Sequence, residues 1–210
     1  RVLFRSVKTI SIMLKGPDGA LTIKAAKGLS ADTIKHTSIK LGENVAGWVA
    51  AHQEPILVEN KEEDPPFTVS NRELYHTKSF ICCPLVVKDE TIGVINISNK
   101  KDRSVFTPYE LEIIKAVCAD IAVAIDNAKL YSGLRQAYIN SVETLAVAVD
   151  ARDHYTQGHL QRVCTLAVAI AQQMRLHKNQ MENVRVAALL HDVGKIGITD
   201  AILLKQSSLS

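Results

Sequence analysis

The sequence predicts an α+β protein: an antiparallel sheet with flanking helices, a long connecting helix, and then the first helices of an all-α domain. Three observations carry this. Residues 7–106 hold two pairs of short strand-like runs, the first pair alternating apolar and polar side chains, each joined at a turn signal. Residues 108–150 contain one glycine, Gly133, and no proline after Pro108. Beyond Tyr155 the apolar residues recur every three or four positions, as on a helix that buries one face.

Taken in order, Thr9–Leu14 and Ala20–Ala25 alternate on either side of Gly16, Pro17, Asp18 and Gly19, which reads as a hairpin. Gly42–His52 has a short helical pattern opened by a glycine, and Pro55–Val58 is a brief strand. The polar stretch Glu59–Thr77, with Asp64, Pro65 and Pro66, reads as a long surface loop holding a short helix near Asn71–Tyr75. Ser79–Val87 and Thr91–Ser98 are two further strands joined through Lys88, Asp89 and Glu90. Adjacent Cys82 and Cys83 then point to opposite faces of the sheet.

Thr107, Pro108 and Glu110 form a capping box with proline in the first helical position. A helix from there to Asp150 would be roughly 65 Å long at 1.5 Å per residue. Leu111, Ile114, Cys118, Ile121, Ile125 and Ala128 make one heptad seam. Tyr131, Leu134, Tyr138, Ser141 and Leu145 make a second, offset by a three-residue slip. Two readings stand: two helices, one on each domain, or a single signalling helix at a dimer axis. Further on, one helix within Tyr155–His177 carries Leu160, Val163, Cys164, Ala167 and Ile170 on one face. A second runs Asn179–Asp192 after a break at Lys178 and Asn179, and Thr199 with Asp200 caps a short third one.

Composition excludes several classes. The chain of 210 residues is 47% hydrophobic and 22% charged, ordinary for a folded domain and wrong for disorder. A net charge of +3 without a basic run predicts neither a nucleic-acid partner nor a membrane surface. The four cysteines form no metal-binding pair and suit a reduced, cytoplasmic setting. No signal peptide is visible, and no apolar run approaches the roughly 18 residues of a membrane span. Residues 1–6 read as a non-native leader, lacking a starting methionine and resembling a translated sequencing adapter.

In the first half, Gly42, Gly47, Trp48 and Val49, then Pro55–Val58, Pro84 and Leu85, Ile92–Val94, and Phe106–Glu110 occur in an order that resembles the GAF domain, a small sensory module. The resemblance implies a sensor over residues 7–128 without the family's leading helix, and a small ligand of unknown kind. Some GAF domains bind cyclic nucleotides through an Asn-Lys, Phe and Asp-Glu motif. Asn99, Lys100 and Phe106 are present here, but the acidic pair is Glu110 and Leu111, so that ligand does not carry over.

In the second half, His191, Asp192 and Lys195 place an imidazole, a carboxylate and an ammonium within five residues. Val184, Ala187, Ala188 and His191 fall on one helical stripe, which would turn the histidine to the core. Gly194 and Gly197 would let another backbone come close and end the helix. Alone, this pattern also describes a buried histidine capped by its neighbour. Upstream, His159 follows Gly158 near a helix start. Two helices each presenting a histidine, one followed by aspartate, is how a bundle builds a divalent-metal site.

Tyr155, Thr156, Gly158, His159, Arg162 and Val163, followed by His191, Asp192, Val193, Gly194, Lys195, Ile196, Gly197 and Asp200, resemble the HD-GYP subfamily of HD metal-dependent phosphohydrolases. The resemblance implies a bacterial phosphodiesterase that hydrolyses cyclic di-GMP to pGpG or GMP. It assigns His159, His191 and Asp192 as metal ligands, with Asp192 bridging two divalent metals. Those would be Fe or Mn, with Mg or Zn as alternatives. Lys195 would contact a substrate phosphate, giving catalytic roles to Lys195 and Asp192. Thr156, Gly158 and Arg162 would shape the substrate site. Tyr155 stands where some members carry a further glutamate ligand, which implies two metals rather than three. The mechanism implied is in-line attack of a metal-activated hydroxide on phosphorus. Asp153 reads as a helix cap or an arginine partner, and His154 as exposed.

The domain plan is therefore a GAF sensor over 7–128, a connecting signalling helix over 108–150, and the N-terminal part of an HD-GYP domain over 140–210. The family's remaining ligands and its Gly-Tyr-Pro motif would lie past Ser210, so this truncated chain is expected to be inactive alone. A homodimer through the connecting helix is expected, with no nucleic acid and no membrane within this stretch. The alternatives are an HD phosphohydrolase for another nucleotide, or a GAF/HD scaffold without turnover.

Overall fold

The computed structural model describes residues 6–59, 79–150, 158–203 and 205. The chain divides into two compact units, 1–129 and 130–210.

The first unit is built on six antiparallel strands in the order β3-β2-β1-β6-β5-β4. β1 (Val7–Lys15) and β2 (Leu21–Lys27) form the expected hairpin. A short helix α1 (Ala31–His36) and strand β3 (Ser38–Ile39) follow, neither visible in the periodicity. Ser30 starts α1 by accepting the Thr33 amide on its hydroxyl at 3.0 Å. After α2 (Asn44–His52) and β4 (Ile56–Val58) come β5 (Phe80–Val87) and β6 (Glu90–Lys100). Lys88 and Asp89, both at positive φ, close the β5–β6 hairpin in two residues. The expected loop with its helix near residues 71–75 lies outside the described residues.

The sheet buries both faces. On one, Val45, Ala46, Val49 and Ala50 of α2 pack with Met13, Leu21, Cys82 and Val94. On the other lies the first half of α3 (Pro108–Asp150), whose Ile114, Cys118 and Ala122 pack with Ile81, Cys83, Leu85 and Ile95. Cys82 and Cys83 thus sit in different cores, as strand alternation requires.

α3 is one helix of 43 residues, not two. Its start is the expected box: the Thr107 amide donates to Glu110 at 2.9 Å, and the Glu110 amide donates to the Thr107 hydroxyl at 3.3 Å. The first heptad seam corrects the sequence reading in part. Ile114 and Cys118 are buried against this chain's own sheet and Ala128 is exposed, so that seam is spent within the unit. The second seam is open: Tyr131, Leu134 and Tyr138 are exposed.

In the second unit, α4 (His159–Gln173) and α5 (Lys178–Leu190) pack with Val142 and Ala146 of α3 around Leu160, Cys164, Ala188 and Leu189. A 3-10 turn, Val193–Gly197, and α6 (Asp200–Leu203) follow. Ile170 points outward, and Ala171 takes the inner place expected of it, because a small side chain suits the close approach. α5 starts at Lys178 rather than after it, capped by His177 with Gln180. Among the described residues, no helix is long and apolar enough to cross a membrane.

Candidate metal centre

Two helix ends bring the site together. Gly158 precedes α4 with φ +79°, a conformation glycine enters without the steric cost of a Cβ. His159 is therefore the first residue of α4. α5 ends at Leu190, and His191 caps it. The two imidazoles lie 5.5 Å apart between ring centroids, tilted by 58°. One ligand atom from each of His159, His191 and Asp192 falls within 4.8 Å of the others, an arrangement that could hold a metal ion.

The hydrogen bonds fix which atoms are offered. His191 Nδ1 lies 2.9 Å from the Ala188 carbonyl. A carbonyl only accepts, so Nδ1 carries the proton and Nε2 of the neutral ring keeps its lone pair. That nitrogen lies 3.3 Å from Asp192 Oδ2. Two acceptors at that distance repel unless a cation, a ring proton or a metal ion, lies with them. Lys195 Nζ donates to the same Oδ2 at 2.8 Å. This hydrogen bond, with the Lys195 charge, outweighs desolvation and holds the Asp192 carboxyl below its ordinary value. The carboxylate is ionised and ready as a ligand.

The site is open. Side-chain exposures are 34% for His191, 36% for Asp192 and 30% for Lys195. Here the sequence reading is corrected: Ala187 and His191 do not face the core, which α5 meets instead with Val186, Ala188 and Leu189. The helix stops at Leu190, so the imidazole stands at its rim. Lys195 reaches Asp192 through the 3-10 turn, not along a helical face. Among the described residues nothing lies within 4 Å of where a Cβ on Gly194 or Gly197 would be, so no close approach there demands them.

Arg162, one turn into α4, brings its guanidinium 3.2 Å from where a Cβ on Gly158 would stand. Thr156, with Arg152, Asp153, His154 and Tyr155, lies outside the described residues. The sequence did not disclose the Ala188 carbonyl, nor the apolar wall beside the site. A shallow, open pocket runs from His191, Asp192 and Lys195 to Ala146, Val149, Leu160 and Leu189. Backbone carbonyls and small apolar residues carry no motif that could have marked them.

The GAF domain family model matches residues 2–125, and the HD domain model matches residues 156–209. A 3'3'-cGAMP-specific phosphodiesterase 3 of Vibrio cholerae is 36% identical over 112 residues, 51% of this chain and 24% of that protein. A cyclic di-GMP phosphodiesterase of Thermotoga maritima is 41% identical over 69 residues, 33% of this chain and 19% of that protein. The chain spans less than a quarter of the length of the curated relatives it matches, between 16% and 24%. Among solved structures, the GAF domain of an Acinetobacter phosphoenolpyruvate-protein phosphotransferase shares the fold at TM-score 0.53 and 24% identity, covering 61% of this chain and 77% of that one.

Proposed function

The chain belongs to the GAF domain family and carries HD-domain sequence over residues 156–209, and we propose that together they form part of a sensor-regulated, metal-dependent phosphodiesterase acting on cyclic di-GMP. The observation that carries this reading is the facing of His191 Nε2 and Asp192 Oδ2 at 3.3 Å, with His159 beside them. Paired acceptors of this kind fit a divalent cation, and the HD-GYP resemblance places Fe or Mn before Mg or Zn. The HD-GYP resemblance implies two such cations, for which Asp192 would be a common ligand. Bound there, such cations act as Lewis acids toward phosphoryl oxygens.

The chain's own residues have distinct tasks. Ala188 orients the His191 ring through its carbonyl, the kind of supporting bond that fixes a ligand's tautomer. Asp192 stays ionised beside Lys195. Lys195 turns its ammonium to a substrate phosphate and offsets charge there. Gly158 and Arg162 would help shape the substrate site, the role the HD-GYP resemblance also implies for Thr156. The first unit binds a small ligand, and a homodimer forms through the exposed seam of α3.

A second reading has its own support. The relatives named as 3'3'-cGAMP-specific phosphodiesterases align over 51% and 58% of this chain, so that dinucleotide is the competing substrate. The test has two arms. Mn²⁺ titration of this chain should give saturable binding that His191→Ala and Asp192→Ala abolish. The parent protein should hydrolyse cyclic di-GMP faster than 3'3'-cGAMP; the reverse order selects the second reading. Unaltered turnover in both variants removes the site from the chemistry.

A further inference from the structure

Four charged residues outside the site join α3 to the helix that ends in it. Arg135 pairs with Glu182 through two guanidinium nitrogens and both carboxylate oxygens. Arg185 pairs with Glu143. The order of charges is crossed: α3 presents cation then anion, and α5 presents anion then cation. A slide that brought Arg135 to Arg185, or Glu143 to Glu182, would set like charges together. The pairs therefore favour one register over its neighbours, which apolar contacts alone do poorly because small side chains slide past one another.

That register matters at the site. α5 runs from Glu182 and Arg185 to Leu190 and hands over to His191 and Asp192. α3 runs on from Arg135 and Glu143 to Ala146 and Val149, which line the same pocket as His191, Asp192 and Lys195. Val142 and Ala146 also pack against Ala188 and Leu189, and Ala188 is the residue whose carbonyl holds the His191 ring. About one turn of helix separates Glu143–Arg185, and about two turns separate Arg135–Glu182, from the contacts that orient the ligand.

We propose that the crossed pairs Arg135–Glu182 and Glu143–Arg185 are positioning residues that set the register of α3 on α5, and through Ala188 the placement of the His191 ring. This rests on the reading of His191 as part of a functional site. Loosening the pairs lets α3 shift without unfolding the bundle, and moves the pocket wall relative to His191 and Asp192.

The experiment compares Arg135→Glu, Glu182→Arg and the double charge swap in this chain, each checked for helix content by circular dichroism. The first readout is metal-free: the ring resonances of His191 and His159 by NMR. Both single variants should shift the His191 signal, and the swap should return it toward the original position. The second readout is Mn²⁺ affinity, which should fall roughly threefold in the singles and recover in the swap. His191 signals unmoved in folded single variants overturn the proposal. So does a swap that fails to restore them. Absence of Mn²⁺ binding in the unaltered chain sinks the metal reading instead, while the NMR arm still decides the clamp.

Discussion

The Lys100 ammonium lies 2.7 Å from a Glu110 carboxylate oxygen, with side-chain exposures of 8% and 15%. Asn99 brings it there. That residue takes φ +58° inside β6, a left-handed conformation that asparagine tolerates better than most residues. Lys100 then also donates to the Val105 carbonyl at 3.0 Å and sits 5.0 Å from the Phe106 ring centroid. One buried cation ties the end of the sheet to the start of α3.

Loss of either partner should be costly. Glu110→Gln removes the negative charge facing the buried ammonium and leaves it a neutral amide, and should lower unfolding stability by about 3 kcal/mol. Urea denaturation followed by circular dichroism measures it. A loss under about 0.5 kcal/mol would place the pair among the weak surface bridges.

The same pair predicts an acid limb. Burial alone would raise the Glu110 carboxyl, but hydrogen bonds from Lys100 and Thr107 outweigh it and hold the group below the usual 4.5. A depressed carboxyl contributes stability that is full above its unfolded value and is lost as pH falls through the folded one. Stability should therefore drop below about pH 4.5. Glu110→Gln should flatten that part of the profile in thermal melts between pH 3 and 6 (about three units, spanning the carboxylate range).

Gly93 and Gly158 should separate two kinds of glycine. A Cβ on Gly93 would stand 2.2 Å from the Met13 carbonyl, across the β1–β6 pair. Gly93→Ala must push two central strands apart and should cost about 3 kcal/mol. Among the described residues Gly158 meets only the flexible Arg162 side chain, so Gly158→Ala should cost about 1 kcal/mol of backbone strain. Equal losses in the two variants would contradict this division.

Cys82, Cys83, Cys118 and Cys164 are all buried. Burial pushes the Cys82 thiol up, away from the reactive thiolate form. Native protein should react with a thiol reagent such as 5,5'-dithiobis(2-nitrobenzoate) only as it unfolds. A burst of one or more thiols in the folded state would show that a core opens locally.

Replacing Lys195 by methionine should separate binding from chemistry. The ligand atoms remain, so Mn²⁺ binding should stay within about threefold, whereas turnover in the parent protein should fall roughly a hundredfold or more. Parallel losses in both would make Lys195 a support for Asp192 rather than a partner of the phosphate.

Much of this protein was legible in local pattern. Alternation marked β1 and β2, and apolar runs bounded by turn signals marked β5 and β6. Thr107, Pro108 and Glu110 marked the start of α3, because a capping box acts within one turn. The resemblance to HD phosphohydrolases, more than spacing alone, singled out His159, His191 and Asp192, three side chains that do meet. Strand β3 and helix α1 went unseen, being two and six residues long, too short for a period to register.

The sequence by itself determined which residues alternate, where a helix can begin, and which side chains carry acid, base or ligand chemistry; these follow from the residue and its near neighbours. Only the tertiary structure decided which face each helix spends. It turned the first seam of α3 inward to the sheet, left Leu134 exposed, and set His191 at a rim rather than in a core. The reason is physical: periodicity states that a face will be buried, but the partner that buries it is chosen by packing between segments far apart in the chain.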